Sequence, residues 1–318
     1  MSVLVGMDLG GTKCAVCVGM EQPEGFRLLR REAIATPADQ QRAMQELCAI
    51  AKRMTEGETV AGTGISAGGP LDAAQGMLLS PPNLPGWRDV SLTAMAQECL
   101  HAPAMLENDA NACALAEWRW GAGKGSGLMA FLTFGTGLGA GIVADGHILR
   151  GASGDAGELG HWRLREFGPS GYGKTGSFEG FCSGGGLRQL ALTVGERYRQ
   201  NGAVPGYPLS SNVSAKETAE AARAGDPAAL EVFGLCADAL GRGLSLLLDF
   251  LNPDCVVLGS IYTRCRDLLE PRMRAVLAAE TLPRALTACR ILPAALGEQI
   301  GDYAALAIAK SAAERNSR

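Results

Sequence analysis

Two stretches, Asp8-Leu9-Gly10-Gly11-Thr12-Lys13 and Gly135-Thr136-Gly137-Leu138-Gly139-Ala140-Gly141, decide how this sequence folds. Before the first lies a β-type run, Val3 to Asp8, and after it another, Cys14 to Gly19. Strand, glycine turn, strand makes a hairpin. A dinucleotide fingerprint needs a helix directly after its glycines, so that reading is set aside. Glycines in a tight turn point successive backbone N–H groups into a concavity that suits an anion, although an ordinary hairpin turn accepts them too. The second stretch repeats the device. Leu128 to Phe134 is β-type, and Ile142 to Ala144 runs into Asp145-Gly146, a strong hairpin signal. A structural turn rarely needs four alternating glycines. Two copies of the pattern predict a duplicated α/β unit whose glycine turns hold the phosphates of one nucleotide.

Working outward, Asp39 to Met54 carries a helical pattern, Thr59 to Ile65 reads as a strand, and a Gly/Pro-rich excursion runs from Ser66 to Trp87. Ala104 to Glu107 is a short strand and Asn108 to Trp120 an alanine-rich helix. The stretch from Ser211 to Asn252 reads as helical. Ser214 and Glu217 form a capping box, Asp226-Pro227 starts a second helix, and Asn252-Pro253 ends it. Cys255 to Leu258 is a strand ending at Gly259, and Gly301-Asp302 opens a terminal helix. A boundary in Gly121 to Gly127 divides the chain into α/β domains over 1–120 and 121–301, with a helix over 302–318 packing back on the first.

The chain of 318 residues has room for two domains of roughly 150 residues each. Apolar residues at 47% and charged residues at 19% exclude a disordered chain. A net charge of -4 without clustered Lys and Arg argues against nucleic acid as the main partner. The 43 glycines are near twice the usual share of about 7% and follow no period, which excludes collagen. The N-terminal MSVLVGMDLGG lacks a basic region, and the greasy run Leu244 to Leu251 contains Asp249 and is too short for a bilayer. A soluble, cytoplasmic protein without a membrane partner is expected. Ten cysteines show no disulfide framework. Cys14 and Cys17 lie three apart on a strand, hence on opposite faces, and read as buried reduced thiols rather than metal ligands.

Three further stretches carry chemistry. In Leu106-Glu107-Asn108-Asp109-Ala110-Asn111 a carboxylate sits at a strand-to-helix junction, where it can accept a proton from a substrate hydroxyl. Asn108 or Asp109 also suits a helix cap, and the two roles are compatible. Gly157-Glu158-Leu159-Gly160-His161 sets a carboxylate and one of only three histidines three residues apart. If that segment is helical, both share one face. Gly168 to Thr175 matches the P-loop pattern GxxxxGK[ST], but a P-loop continues directly into a helix. Here Gly176, Gly180 and Gly184 to Gly186 follow, a poor helical start, so the match reads as chance.

Across nearly its whole length the sequence resembles the ROK family (repressors, open reading frames and sugar kinases) of the actin-like ATPase superfamily. The resemblance rests on Asp8 to Lys13, Leu106 to Asn111 with its helix, Gly135 to Gly141, Gly157 to His161 and Val256 to Gly259, with Pro82 to Trp87 resembling the family's sugar-side loop. It implies two actin-like (ribonuclease H-like) α/β domains with a nucleotide and sugar cleft between them. It also implies an ATP-dependent sugar kinase, glucokinase-like, acting on the 6-hydroxyl of glucose, fructose, mannose or an N-acetylhexosamine. Asp109 is then the catalytic base, and Gly68, Asn83, Asn108, Asp109, Glu158, His161 and Glu179 bind sugar. Asp8, Gly10, Gly11, Thr12, Lys13, Gly135, Thr136, Gly137, Gly139, Gly184 and Gly259 bind ATP. Glu179, Phe181, Ser183 and Gly184 match the family's E-x-aromatic-x-S-G segment. Phosphoryl transfer calls for Mg²⁺ beside ATP, with Asp8 its water-mediated partner. A homodimer without nucleic acid is expected.

Two departures stand out against that resemblance. The family's zinc motif, CxCGxxGC, falls where this chain has Gly171, Gly173 and Phe178. One His and one Cys cannot complete a structural site of about four ligands, so no zinc site is expected. Ser260 replaces the family's usual second glycine after Gly259. The alternative is a non-catalytic, sugar-sensing regulator of the ROK repressor type lacking its DNA-binding domain, which is disfavoured because the chain begins at its phosphate motif.

Overall fold

The computed structural model describes residues 2–316, so residues 317–318 of the expected terminal helix lie outside the described residues. In chain order come strands β1 (Ser2–Leu9), β2 (Lys13–Gln22) and β3 (Gly25–Ala35), helix α1 (Gln40–Met54) and strand β4 (Thr59–Ala67). The Gly/Pro-rich excursion contains two-residue strands β5 (Leu71–Asp72) and β6 (Met77–Leu78), and β7 (Val90–Ser91) follows it. Helix α2 (Leu92–Leu100), strand β8 (Ala104–Asn108) and helix α3 (Asp109–Trp120) follow. Next are β9 (Leu128–Leu132), β10 (Ala140–Ala144), β11 (His147–Ile148), β12 (Ser170–Gly171) and β13 (Lys174–Thr175). Helices α4 (Phe178–Phe181), α5 (Gly184–Gln200), α6 (Ala215–Arg223) and α7 (Pro227–Leu251) precede β14 (Cys255–Leu258). The chain closes with α8 (Ile261–Arg264), α9 (Arg266–Glu280), α10 (Pro283–Ala288), β15 (Arg290–Pro293) and α11 (Ile300–Asn316). The mixed α/β class expected from sequence is the one observed.

Two compact bodies result. Of the described residues, the first takes those up to Gly125, Gly141–Ala156 and those from Ala295 on; the second takes Ser126–Ala140 and Gly157–Ala294. A single cut near residue 121 would leave Gly141–Ala156 in the second body instead.

The first body is built on a sheet of order β3-β2-β1-β4-β8, with β1 antiparallel to β2 and parallel to β4, and β4 parallel to β8. Both faces of β1 and β2 are covered, so these strands are apolar on both sides, whereas β3 is the charged, half-exposed edge. Val3, Val5, Met7, Cys14 and Val16 join one core with Met44, Leu47 and Leu92; Leu4 and Cys17 join another with Ala305, Leu306 and Ala309 of α11. Cys14 and Cys17 thus occupy opposite faces. Helix α11 lies almost on the backbone of β4. A Cβ at Gly64 would stand 2.1 Å from the Ala305 carbonyl oxygen, and one at Gly62 would stand 2.4 Å from that of Ala309. Only glycine permits that approach.

In the second body β14 runs parallel to β9 on one side and to β15 on the other. Its four residues are all buried, which is why Cys255 to Leu258 is uninterruptedly apolar. Helix α7 starts and stops as its sequence signals demand. Asp226 accepts the Ala229 N–H at 2.8 Å, Pro227 takes the first position, and Asn252 ends the helix in the left-handed region at φ 51°. The capping box on α6 also forms, with Ser214 Oγ accepting from Glu217 N at 3.2 Å and Glu217 Oε2 from Ser214 N at 2.8 Å.

The segment after the P-loop-like match departs from its sequence reading. Gly184 to Gly186, a poor start by propensity, open the 17-residue helix α5. Ser183 Oγ accepts the Gly186 N–H at 2.9 Å, and a Cβ at Gly186 would stand 2.0 Å from the Gly180 carbonyl oxygen. Capping and tight packing override the low intrinsic helicity of glycine. The match itself does not continue directly into a helix: Ser170–Gly171 and Lys174–Thr175 pair as a small antiparallel hairpin, and the short α4 begins only at Phe178. No helix among the described residues is long and apolar enough to cross a membrane. All ten cysteines are free.

Candidate active site

Strand β1 carries Asp8 to the edge of the turn Gly10 to Lys13. Burial pushes the Asp8 carboxyl up to about 6; the charges of Asp302 and Asp109 add to this, and those of Arg31 and Lys13 oppose it. Asp302 is held by Arg31, whose Nε donates to both its oxygens at 2.9 and 2.8 Å. Gly301 leaves room for Asp8, since a Cβ there would stand 2.9 Å from Asp8 Oδ2. In the turn, Gly10 N donates to the Lys13 carbonyl at 3.1 Å and the Thr36 hydroxyl to that of Gly10 at 2.6 Å. Asn83 packs beside it. A Cβ at Gly11 would stand 2.5 Å from the Asn83 carbonyl oxygen, and one at Gly68 would stand 3.0 Å from Asn83 Nδ2. The Asn83 loop is fastened by buried Trp87, whose indole N–H donates to the Pro37 carbonyl at 3.2 Å. Gly11, Gly68 and Asn83 are therefore brought together.

At the junction of β8 and α3, Asn108 is the cap. Its Oδ1 accepts from Ala110 N at 2.9 Å and Asn111 N at 3.3 Å. Asp109 opens the helix, its Oδ1 accepting from Ala110 N at 2.8 Å, at the positive end of the helix dipole. The Asp109 side chain is exposed, yet protein crowds it closely enough for desolvation to raise its pKa; the N–H groups of Ala110 and Asp109 pull it back. A carboxylate both reachable and poorly solvated suits a general base. Beneath it, Glu107 has a partner no local pattern revealed. Its Oε1 accepts from Asn108 N and Asn111 Nδ2, both at 3.1 Å, and its Oε2 from Arg150 Nε at 3.0 Å.

In the second body the turn Gly135 to Gly139 is knitted internally. Gly135 N donates to the Gly137 carbonyl at 2.9 Å, Gly139 N to Thr133 Oγ1 at 2.9 Å, and Leu138 N to Glu179 Oε2 at 3.0 Å. Among the described residues, the amides of Gly11, Thr12, Thr136 and Gly137 make no internal hydrogen bond. Each turn therefore keeps free backbone donors. Gly184 N donates to the Gly135 carbonyl at 2.8 Å and Gly259 N to that of Leu132 at 2.9 Å, which draws both residues to the base of this turn. Ser260, standing where the family has glycine, takes a left-handed φ of 51°. The turn Leu159–His161 is 3-10 rather than α-helical, and His161 Nε2 lies 4.0 Å from Glu158 Oε2. Gly160 backs against the turn Gly135 to Gly139: a Cβ there would stand 2.5 Å from the Leu138 carbonyl oxygen and 3.5 Å from Glu179 Cβ.

At the family's cysteine positions the structure shows packing. Gly171 lies against Glu179, whose Cβ and Cγ would both be 2.8 Å from a Cβ at that position, and buried Phe178 stacks near parallel to Trp162 with ring centroids 6.5 Å apart. Lys174 Nζ donates to the His161 carbonyl at 2.7 Å. Its replacement by alanine is expected to leave ATP affinity unchanged by calorimetry. Loss of ATP binding would instead restore the P-loop role, in which that lysine reaches the β- and γ-phosphates.

The sequence profile of the ROK family matches residues 4–312. A glucokinase of Thermotoga maritima is 29% identical over 96% of this chain and 97% of its own. The crystal structure of a ROK family glucokinase from Streptomyces griseus in complex with glucose and AMPPNP is 32% identical, covers 97% of this chain and 99% of that one, and superposes with a TM-score of 0.75. A xylose repressor of Bacillus subtilis is 28% identical over 74% of this chain but only 58% of its own.

Proposed function

Since the chain belongs to the ROK family, we propose that it is an ATP-dependent kinase that phosphorylates a hexose at its 6-hydroxyl, the hexose being glucose, fructose, mannose or an N-acetylhexosamine. The observation that carries this reading is Asp109, an accessible carboxylate of raised pKa at the N-terminus of α3, next to the Asn108 cap and accepting from Ala110 N. In this mechanism Asp109 takes the proton of the sugar 6-hydroxyl as that oxygen bonds to the γ-phosphorus. The bond from the γ-phosphorus to the β–γ bridging oxygen breaks, and ADP leaves. Asn108, Glu158, His161 and Glu179, with Gly68 and Asn83, hold the sugar hydroxyls. Polar groups committed to a substrate hydroxyl reject an analogue that leaves them unpaired. The amides of Gly11, Thr12, Thr136 and Gly137 hold phosphate oxygens, and Gly259 lies by the adenosine.

Mg²⁺ fits the chemistry of Asp8. Burial, and then the charges of Asp302 and Asp109, raise its pKa, and a cation beside it would offset both. Mg²⁺ is commonly held by one or two carboxylates plus substrate phosphates. Asp8 would hold it, and bound there it would neutralise charge developing on the phosphate oxygens.

A regulator of the xylose-repressor kind binds sugar without consuming ATP. ADP formation measured across a panel of hexoses, with and without EDTA, separates the two. Hexose-dependent, EDTA-sensitive turnover supports the kinase; sugar binding with no turnover on any hexose supports the regulator.

A further inference from the structure

The hairpin Ser170–Thr175 touches two of the residues assigned to the sugar, and its tip is strained. Tyr172 takes φ 51°, in the left-handed region that β-carbon side chains seldom occupy. It is also 59% exposed. A bulky residue so placed needs a reason, because local strain of this kind costs stability and concentrates at functional sites. Its ring stacks on the imidazole of His161, with centroids 4.4 Å apart and planes inclined by 20°. The neighbouring Lys174 donates to the His161 carbonyl at 2.7 Å, so the hairpin grips that residue by backbone and ring. On its other side Gly171 abuts the Glu179 side chain, and Ser177 Oγ accepts the Gly171 N–H at 3.1 Å.

From this geometry we infer that Tyr172 is a positioning residue for sugar recognition: it holds the His161 imidazole in one orientation while the same hairpin braces Glu179. The inference rests on the sugar-kinase reading above. Without the stack, the half-exposed imidazole of His161, with 45% of its side chain accessible, would sample several rotamers and meet a sugar hydroxyl in only some of them. An aromatic stack is worth enough to set that preference, at about three- to tenfold in an equilibrium.

The test compares Tyr172→Ala and Tyr172→Phe in the intact protein. Tyr172→Ala is expected to raise KM for the sugar about three- to tenfold, leaving KM for ATP unchanged, while Tyr172→Phe, which keeps the ring, stays near wild type. In the His161→Ala background the Tyr172→Ala change should add nothing, because residues acting through one another are not additive. A structural readout needs no turnover. With only three histidines in the chain, the His161 ring proton resonances are assignable, and their ring-current shift should vanish in Tyr172→Ala and persist in Tyr172→Phe. Absence of hexose phosphorylation by the wild type would refute the kinase reading while the ring-current result still reported on the stack. An active Tyr172→Ala variant with unchanged sugar KM, or full additivity with His161→Ala, would overturn the inference.

Discussion

Replacement of Asp109 by asparagine is expected to lower kcat by about 10² to 10⁴, the usual contribution of a positioned acid–base group. ATP binding should survive, because the proposed function assigns the phosphates to the glycine turns and not to Asp109. The pH profile carries the same claim. Asp109 acts as a base only when ionised, and burial raises its pKa above the ordinary 3.8. The rate should therefore fall as pH drops through that raised value, with an acid limb lying above pH 3.8 that is missing from the residual activity of Asp109→Asn. Stability moves the other way. A raised folded pKa means that the ionised form is disfavoured on folding, so stability from this group is lost as pH rises through it. The neutral asparagine should then melt no lower than wild type at pH 7. Turnover near wild type in this variant would remove Asp109 from the chemistry.

The second large effect belongs to Arg150. Its guanidinium faces Glu107, whose side chain is only 2% accessible. Removing one partner of a buried pair leaves an uncompensated charge and costs about 3 kcal/mol or more. Arg150→Ala should lower the melting temperature by about 10 °C, taking a few degrees per kcal/mol for a chain of this size. Loosened Glu107 also frees the backbone amide of Asn108, so turnover should fall together with stability. Replacing both residues by apolar ones of similar volume should recover much of the stability, since no lone charge is then buried. A melting point unchanged in Arg150→Ala would show that solvent already satisfies Glu107.

What could be read in advance follows the range of the interactions. Asn108 announced its cap and Asp226-Pro227 its helix start because such signals act within a few residues. Strand β3 gave no such signal. Its Arg27, Arg30, Arg31 and Glu32 break an apolar pattern, and the residues that secure it, Glu58 for Arg30 and Asp302 for Arg31, are distant in sequence. The same holds for Glu107, whose partner Arg150 lies 43 residues away in sequence. Helix α5 departs from its sequence reading for a different reason. Glycine propensity speaks against Gly184 to Gly186, but Ser183 caps them and the Gly180 carbonyl leaves no room for a side chain at Gly186. At the hairpin Ser170–Thr175 the sequence showed which residues stood at the cysteine positions, while the stack of Tyr172 on His161 needed coordinates to be seen.

The most direct test is the product itself. Wild-type protein with ATP and Mg²⁺ is offered each hexose beside its 6-deoxy analogue, and phosphorus NMR follows the phosphoryl group. The expected result is a sugar 6-phosphate and ADP in equal amounts from at least one hexose, with none from the 6-deoxy form. ATP consumed equally with the 6-deoxy sugar, or no phosphoryl transfer to any hexose, would contradict a 6-hydroxyl kinase built around Asp109.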